Sequence, residues 1–151
     1  MAGSSQGRWD AVPVQPCSPI PPSLFASRSY LAKRGHPKNF ADLARHDIIG
    51  YDTNDLILRG MRNIGIQAER DWFCLRCDNQ AIYWELVRAG CGIGFCQTHI
   101  GRQDPEIEEI DMGVAIPPLQ LWLTTPEKIR HTPRVSCVWD HLVEQLAKVV
   151  S

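Results

Sequence analysis

The chain has 151 residues, enough for one domain or a domain with a tail. Hydrophobic residues at 44% and charged residues at 22% are ordinary for a globular protein, and a net charge of -1 gives no electrostatic case for nucleic-acid binding by this segment, which would need a basic face. No apolar run approaches the length of a bilayer span, and Arg8 is not followed by the apolar core of a secretory signal, so a cytoplasmic location with its six cysteines reduced is expected.

Residues 1–23 carry five of the eleven prolines, at positions 13, 16, 19, 21 and 22. Proline removes a backbone donor and fixes φ, so an extended or irregular stretch is expected there. Residues 9–14 (WDAVPV) read either as a short strand or as part of an irregular tail. From Leu24 the pattern becomes regular. Residues 24–26 suit a short strand. A helix begins at Ser27 or Arg28 and runs through Lys33, stopped by Gly35 and Pro37. Asn39 caps a short helix reaching His46, and residues 48–51 form a short apolar strand. Leu56, Ile57, Gly60 and Met61 fall at helical spacing within residues 54–62, and Gly65 ends that helix.

The most informative stretch is residues 71–97, DWFCLRCDNQAIYWELVRAGCGIGFCQ. Phe73, Leu75 and Cys77 alternate with Trp72, Cys74 and Arg76, the period of a strand. Asp78 and Asn79 supply a helix N-cap, because short polar side chains accept from the free N–H groups of a first turn. The helix over residues 80–89 ends at Gly90, and Ile93 to Cys96 restart an extended run. A strand–helix–strand passage with a polar tip at the helix start is a place where ligands bind. Downstream, residues 98–102 form one helical turn, 107–110 a weak strand and 119–123 a stronger one. Thr132 caps the last helix with Pro133 at its first position. Val135, Val138, Trp139, Leu142, Val143 and Leu146 share one face of it. Alternating strands and helices imply an α/β layer structure.

Several constellations invite a chemical reading. Cys74-x2-Cys77 with Cys91-x4-Cys96 resembles a zinc set, but residues an odd number apart on a strand face opposite sides, and no glycine knuckle follows. Buried free thiols acting as small apolar fillers are the favoured reading, and no metal is expected. Gly90-x-Gly92-x-Gly94 follows a helix and opens a strand, the reverse of a dinucleotide loop, so tight packing at a turn is favoured and no cofactor is expected. Five histidines show no metal-binding spacing, no nucleophile elbow is present, and nothing places an acid and a base around one cleft. An enzyme is therefore the least supported class. Arg28, Lys33, Arg34 and Lys38 read as a solvated helix face rather than a DNA contact. Asp78, Asn79 and Gln80 have the best claim to a ligand site. Read from the residues alone, capping only and ligand contact stand level.

Three stretches carry a family resemblance. ELVRAGCGIGF, one short strand after LRCDNQ, resembles the effector-binding domain of LysR-type transcriptional regulators. Residues 24–52 (LFASRSYLAKRGHPKNFADLARHDIIGYD) resemble the segment where that family's chain enters its second lobe, and residues 119–147 its closing strand and last helix. Together they cover residues 24–147 and leave residues 148–151 as a tail. The resemblance implies a two-lobed fold like type 2 periplasmic binding proteins, with a small-molecule effector held between the lobes. It moves Asp78, Asn79 and Gln80 toward effector contact, and adds Ser27, Tyr51 and Asp52. It also implies a homo-oligomer that grips promoter DNA through a helix-turn-helix domain. This sequence carries no such domain, and most of the first lobe is missing. What is expected is the second lobe, plus the strand and helix that return to the first. The orphaned face should be apolar, with Trp139 and Leu142 on it. The rival reading is a free-standing small-molecule-binding or dimerisation module without DNA binding.

Overall fold

The computed structural model describes residues 14–17, 19–113 and 116–149. In chain order the elements are β1 (Val14–Pro16), β2 (Pro22–Ser27), α1 (Arg28–Arg34), α2 (Phe40–Leu43), β3 (Ile48–Gly50), α3 (Leu56–Asn63), β4 (Phe73–Arg76) and α4 (Gln80–Arg88). They continue with β5 (Gly94–Gln97), α5 (Thr98–Gly101), β6 (Ile107–Ile110), β7 (Trp122–Thr124), α6 (Glu127–Arg130) and α7 (Pro133–Val149). The chain divides into two compact units, Pro21–Pro118 and the pair of segments Met1–Ile20 and Leu119–Ser151.

The larger unit is built on β2, which pairs antiparallel with β5 on one side and β6 on the other. A separate ladder pairs β3 with β4 in parallel, with Ile48 opposite Phe73 and Gly50 opposite Arg76. An isolated parallel bridge, Ile48 to Ile93, sets the start of β5 beside β3. The strands therefore follow one another as β4, β3, β5, β2, β6. Leu24, Phe25, Ile48, Ile49, Tyr83, Val87 and Ile93 are buried at the centre of the core. At Gly50 a Cβ would fall 2.2 Å from the Phe73 ring, so only glycine lets β4 lie this close to β3.

Local signals explain the helix ends. Ser27 Oγ accepts from Tyr30 N at 3.2 Å and caps α1, and Asn39 Oδ1 accepts from Asp42 N at 3.1 Å and caps α2. Gly90, at φ +77°, takes the left-handed turn that ends α4. Some elements differ from expectation. Arg70–Trp72 form a 3-10 turn, so β4 starts only at Phe73. β4 lies at the sheet's edge, and Leu75 stays exposed rather than joining Phe73 in the core. β2 starts at Pro22, before Leu24, and α7 runs on through Val149.

The smaller unit holds the antiparallel pair β1 and β7, with Gln15 opposite Leu123, extended by a bridge between Ile20 and Leu119. The described part of the proline-rich segment thus forms a strand at residues 14–16; residues 9–13 of the WDAVPV reading lie outside the described residues. Pro16 is tolerated because a two-stranded ladder asks each strand for donors on one side only. Thr132 precedes α7, but its hydroxyl donates back to Ile129 O at 2.8 Å. Trp139 corrects the expectation of an unprotected aromatic. It is 6% exposed, its indole N–H donates to Gln15 Oε1 at 3.1 Å, and the Arg130 guanidinium lies 4.4 Å above its ring. Leu142 and Val138 do stay exposed on α7. Among the described residues, no helix is long and apolar enough to cross a membrane.

Candidate functional site

Parallel pairing puts the carboxyl ends of β3 and β4 side by side, so the loops leaving them meet. The first loop carries Tyr51, Asp52, Thr53 and Asn54. The second carries Asp78 and Asn79 into α4. Five of the six expected site residues, Tyr51, Asp52, Asp78, Asn79 and Gln80, come together here.

Asn79 is the N-cap of α4. Its Oδ1 accepts from Ala81 N and Ile82 N, both at 3.1 Å. Asp78 does not share that role. Its carboxylate turns to the other loop and accepts from the main-chain N–H groups of Asp52 at 2.9 Å, Thr53 at 2.9 Å and Asn54 at 3.4 Å, and from the Thr53 hydroxyl. These donors, the Thr53 hydroxyl first, hold its pKa down at about 2. The same loop is gripped from its other side. The Arg70 guanidinium donates to the carbonyls of Tyr51 at 3.4 Å, Thr53 at 2.9 Å and also Asp52. Asp52 in turn lies 3.6 Å from the Arg76 guanidinium. An anion on three amides and a cation on three carbonyls fix three successive peptide units. The charges of this corner are matched among themselves, and Asn79 and Gln80 are exposed residues at its rim, the oxygen of each carboxamide already accepting hydrogen bonds.

Gln80 is tied inward. Tyr51 donates its hydroxyl proton to Gln80 Oε1 at 3.2 Å, and the Tyr51 ring packs 5.1 Å from the Tyr83 ring. Tyr83 is fully buried. Its hydroxyl donates to Ile49 O at 3.0 Å and accepts from Phe95 N at 2.8 Å, and burial pushes its pKa well up.

Ser27 is not part of this corner. β2 runs antiparallel to β5, and β5 starts parallel beside β3, so β2 ends at the opposite edge of the sheet. There Ser27 is 2% exposed, and its hydroxyl caps α1 and meets Ser29 Oγ at 3.0 Å, near Gly90 at the far end of α4.

A cavity of about 520 Å³ is bounded by the start of β2, the end of β6 and α5, and none of Tyr51, Asp52, Asp78, Asn79 and Gln80 lines it. Ser23, Thr98, Arg102, Glu109 and Met112 line it, and Arg102 Nε pairs with Glu109 Oε2 at 2.6 Å. None of these residues was expected as a ligand site from the sequence, where Glu109 stands out only as a possible acidic pair with Glu108. The stretch holding Thr98 and Arg102 reads only as one helical turn, and no local motif marks a cavity wall made by three separated segments.

The cysteines point to separate partners: Cys74 Sγ donates to Ile48 O at 3.4 Å and Cys77 Sγ to Asn79 O at 3.6 Å. Among the described residues, no group of three His, Cys, Asp or Glu side chains gathers as a metal site would require.

The LysR substrate binding domain model matches residues 2–147. Among solved structures, the regulatory domain of CrgA, a LysR-type transcriptional regulator from Neisseria meningitidis, aligns with 96% of this chain and 72% of its own, at a TM-score of 0.72 and 19% identity. The effector domain of the transcriptional regulator AmpR of Pseudomonas aeruginosa aligns with 95% of this chain and 69% of its own, at a TM-score of 0.69 and 18% identity. A longer CrgA structure is covered over only 48% of its chain, at a TM-score of 0.72. No curated protein matches. With the matched model spanning nearly its whole length, the chain belongs to the LysR substrate binding domain family, with the periplasmic-binding-protein-like α/β fold of LysR-type effector domains.

Proposed function

We propose that this chain is the effector-sensing part of a LysR-type transcriptional regulator. It binds a small molecule at the corner formed by Tyr51, Asp52, Asp78, Asn79 and Gln80, and thereby changes how a homo-oligomer grips promoter DNA through a helix-turn-helix domain outside this sequence. It has no catalytic role and sits in the cytoplasm. One observation carries the reading: two loops at the carboxyl ends of parallel strands are pinned together at the start of α4, with the exposed residues Asn79 and Gln80 at their rim. A pre-ordered polar rim loses little entropy when a ligand arrives. Asp78 serves as a positioning residue, because its oxygens are already taken by the neighbouring loop. Ligand contact falls to the carboxamide N–H groups of Asn79 and Gln80, since their oxygens are taken as well. The ligand acts only through its different affinity for two states of the regulator.

Thermal-shift screening of the purified chain against amino acids, aromatic carboxylates and short dicarboxylates, followed by calorimetry on any compound that raises the melting temperature, tests the assignment. Asn79→Ala should weaken binding of that compound at least tenfold, while removal of the cap costs about 1 kcal/mol of stability. Unchanged affinity in Asn79→Ala would move the site elsewhere, and Arg102→Ala then asks whether the cavity beside α5 is that place.

A further inference from the structure

The pairing of β3 with β5 breaks off in an unusual manner. Two rungs form directly: Ile93 N donates to Asp47 O and Ile49 N to Ile93 O, both at 2.8 Å. In a parallel ladder the next rung would be Phe95 N to Ile49 O. That rung is not direct. The Tyr83 hydroxyl is inserted in it, accepting from Phe95 N and donating to Ile49 O. Gly94 makes the insertion possible, since a Cβ there would fall 2.5 Å from Val87 Cγ2 and 2.9 Å from the Tyr83 hydroxyl.

From this the geometry points to a relay: Gln80, Tyr51 and Tyr83 link the ligand-facing turn to the opened rung between β3 and β5. The link is physical at every step. Gln80 Oε1 holds the Tyr51 hydroxyl, the Tyr51 ring packs on Tyr83, and the Tyr83 hydroxyl sits between two strands. Tyr83 is fully buried against Gly94 and Val87, so a shift of its ring is passed to Phe95 rather than absorbed by a void. β5 then runs into Thr98, whose N–H and hydroxyl both donate to Pro21 O, at 3.0 and 2.9 Å. Pro21 is the residue at which the chain enters the larger unit. A ligand that draws on Gln80 would thereby loosen or tighten the strand beside the chain's entry point. The significance for sensing rests on the reading proposed above, but the relay itself needs no ligand.

Amide hydrogen exchange on the ligand-free chain, read by NMR, separates the two. In Gln80→Ala and in Tyr51→Phe, exchange at the Phe95 amide should rise about fivefold, the loss of part of one hydrogen bond. The Ile93 amide, one rung back on a direct bond, should not change. Tyr83→Phe should raise Phe95 exchange further, and adding Tyr51→Phe to it should have no additional effect. No rise at Phe95 in either single variant overturns the relay. An equal rise at Phe95 and Ile93 also overturns it, because general destabilisation would then be the cause. Failure to find a ligand would leave these exchange results standing and bear only on the proposed function.

Discussion

Tyr83→Phe probes the tightest point of the fold. Tyr83 is 1% exposed, and its hydroxyl is the partner of one main-chain acceptor, Ile49 O, and one main-chain donor, Phe95 N. Phenylalanine keeps the ring and its packing against Tyr51 and removes only the oxygen. Two hydrogen bonds disappear, and two main-chain groups lose a partner in a place with little water. An orphaned buried group costs about 1–3 kcal/mol, partly offset because the hydroxyl itself no longer needs desolvating, so a net loss of about 2–3 kcal/mol is expected. For a chain of this size that is a fall of roughly 5–10 °C in melting temperature. Circular dichroism during heating, with urea unfolding to check that the m-value is unchanged, measures it. A shift below about 2 °C would refute the reasoning: the rung would have closed directly from Phe95 N to Ile49 O, and the hydroxyl would be a filler rather than a bridge.

Other outcomes follow from the same geometry. Asp78 is depressed below the ordinary carboxylate value, so its hold on the loop is complete above about pH 4 and is lost as pH falls through about 2. The Thr53 amide resonance should titrate with that low midpoint, and Asp78→Asn should abolish the transition and speed exchange at the amides of residues 52–54. Ser27→Ala should lower stability by about 1 kcal/mol through loss of the α1 cap, yet leave the affinity of any ligand found by screening unchanged, because it lies at the other end of the sheet. A tenfold loss of affinity in Ser27→Ala would put the binding corner in the wrong place.

What could be read from the sequence was mostly local. Asn79 as a cap, Gly90 as a helix stop and the strand at Ile107–Ile110 depend on a few adjacent residues, and they stand where the pattern puts them. Asp78 beside Asn79 carried the same local signal, but its carboxylate is claimed by amides some twenty-five residues upstream, a competition no local rule registers. Ser27 was grouped with Tyr51 and Asp52 although strand direction separates them, and strand direction is a property of the whole sheet. The prolines hid β1, because a ladder of two strands tolerates a residue with no donor. Trp139 lay on the apolar face of the last helix and was expected bare for want of a first lobe, and only the fold brings Gln15 and Arg130 to cover it. Gly94 was read as packing at a turn, without the hydroxyl it makes room for.

The grip on residues 51–54 has a consequence for how such a domain diversifies. Apart from the Thr53 hydroxyl, every group that Asp78 and Arg70 hold belongs to the main chain. The loop's shape is thus held mainly from positions 70 and 78, outside the loop, with smaller ties from its own side chains, Asp52 to Arg76 and Asn54 Oδ1 to Leu56 N. Exchanging residue 52 or 54 during descent gives up those smaller ties, while the main grip on the backbone from Asp78 and Arg70 stays in place. On the binding corner proposed above, substitutions at Asn79 and Gln80 would then meet a backing loop whose main supports lie elsewhere, so the molecule answered to can change without redesign of the scaffold.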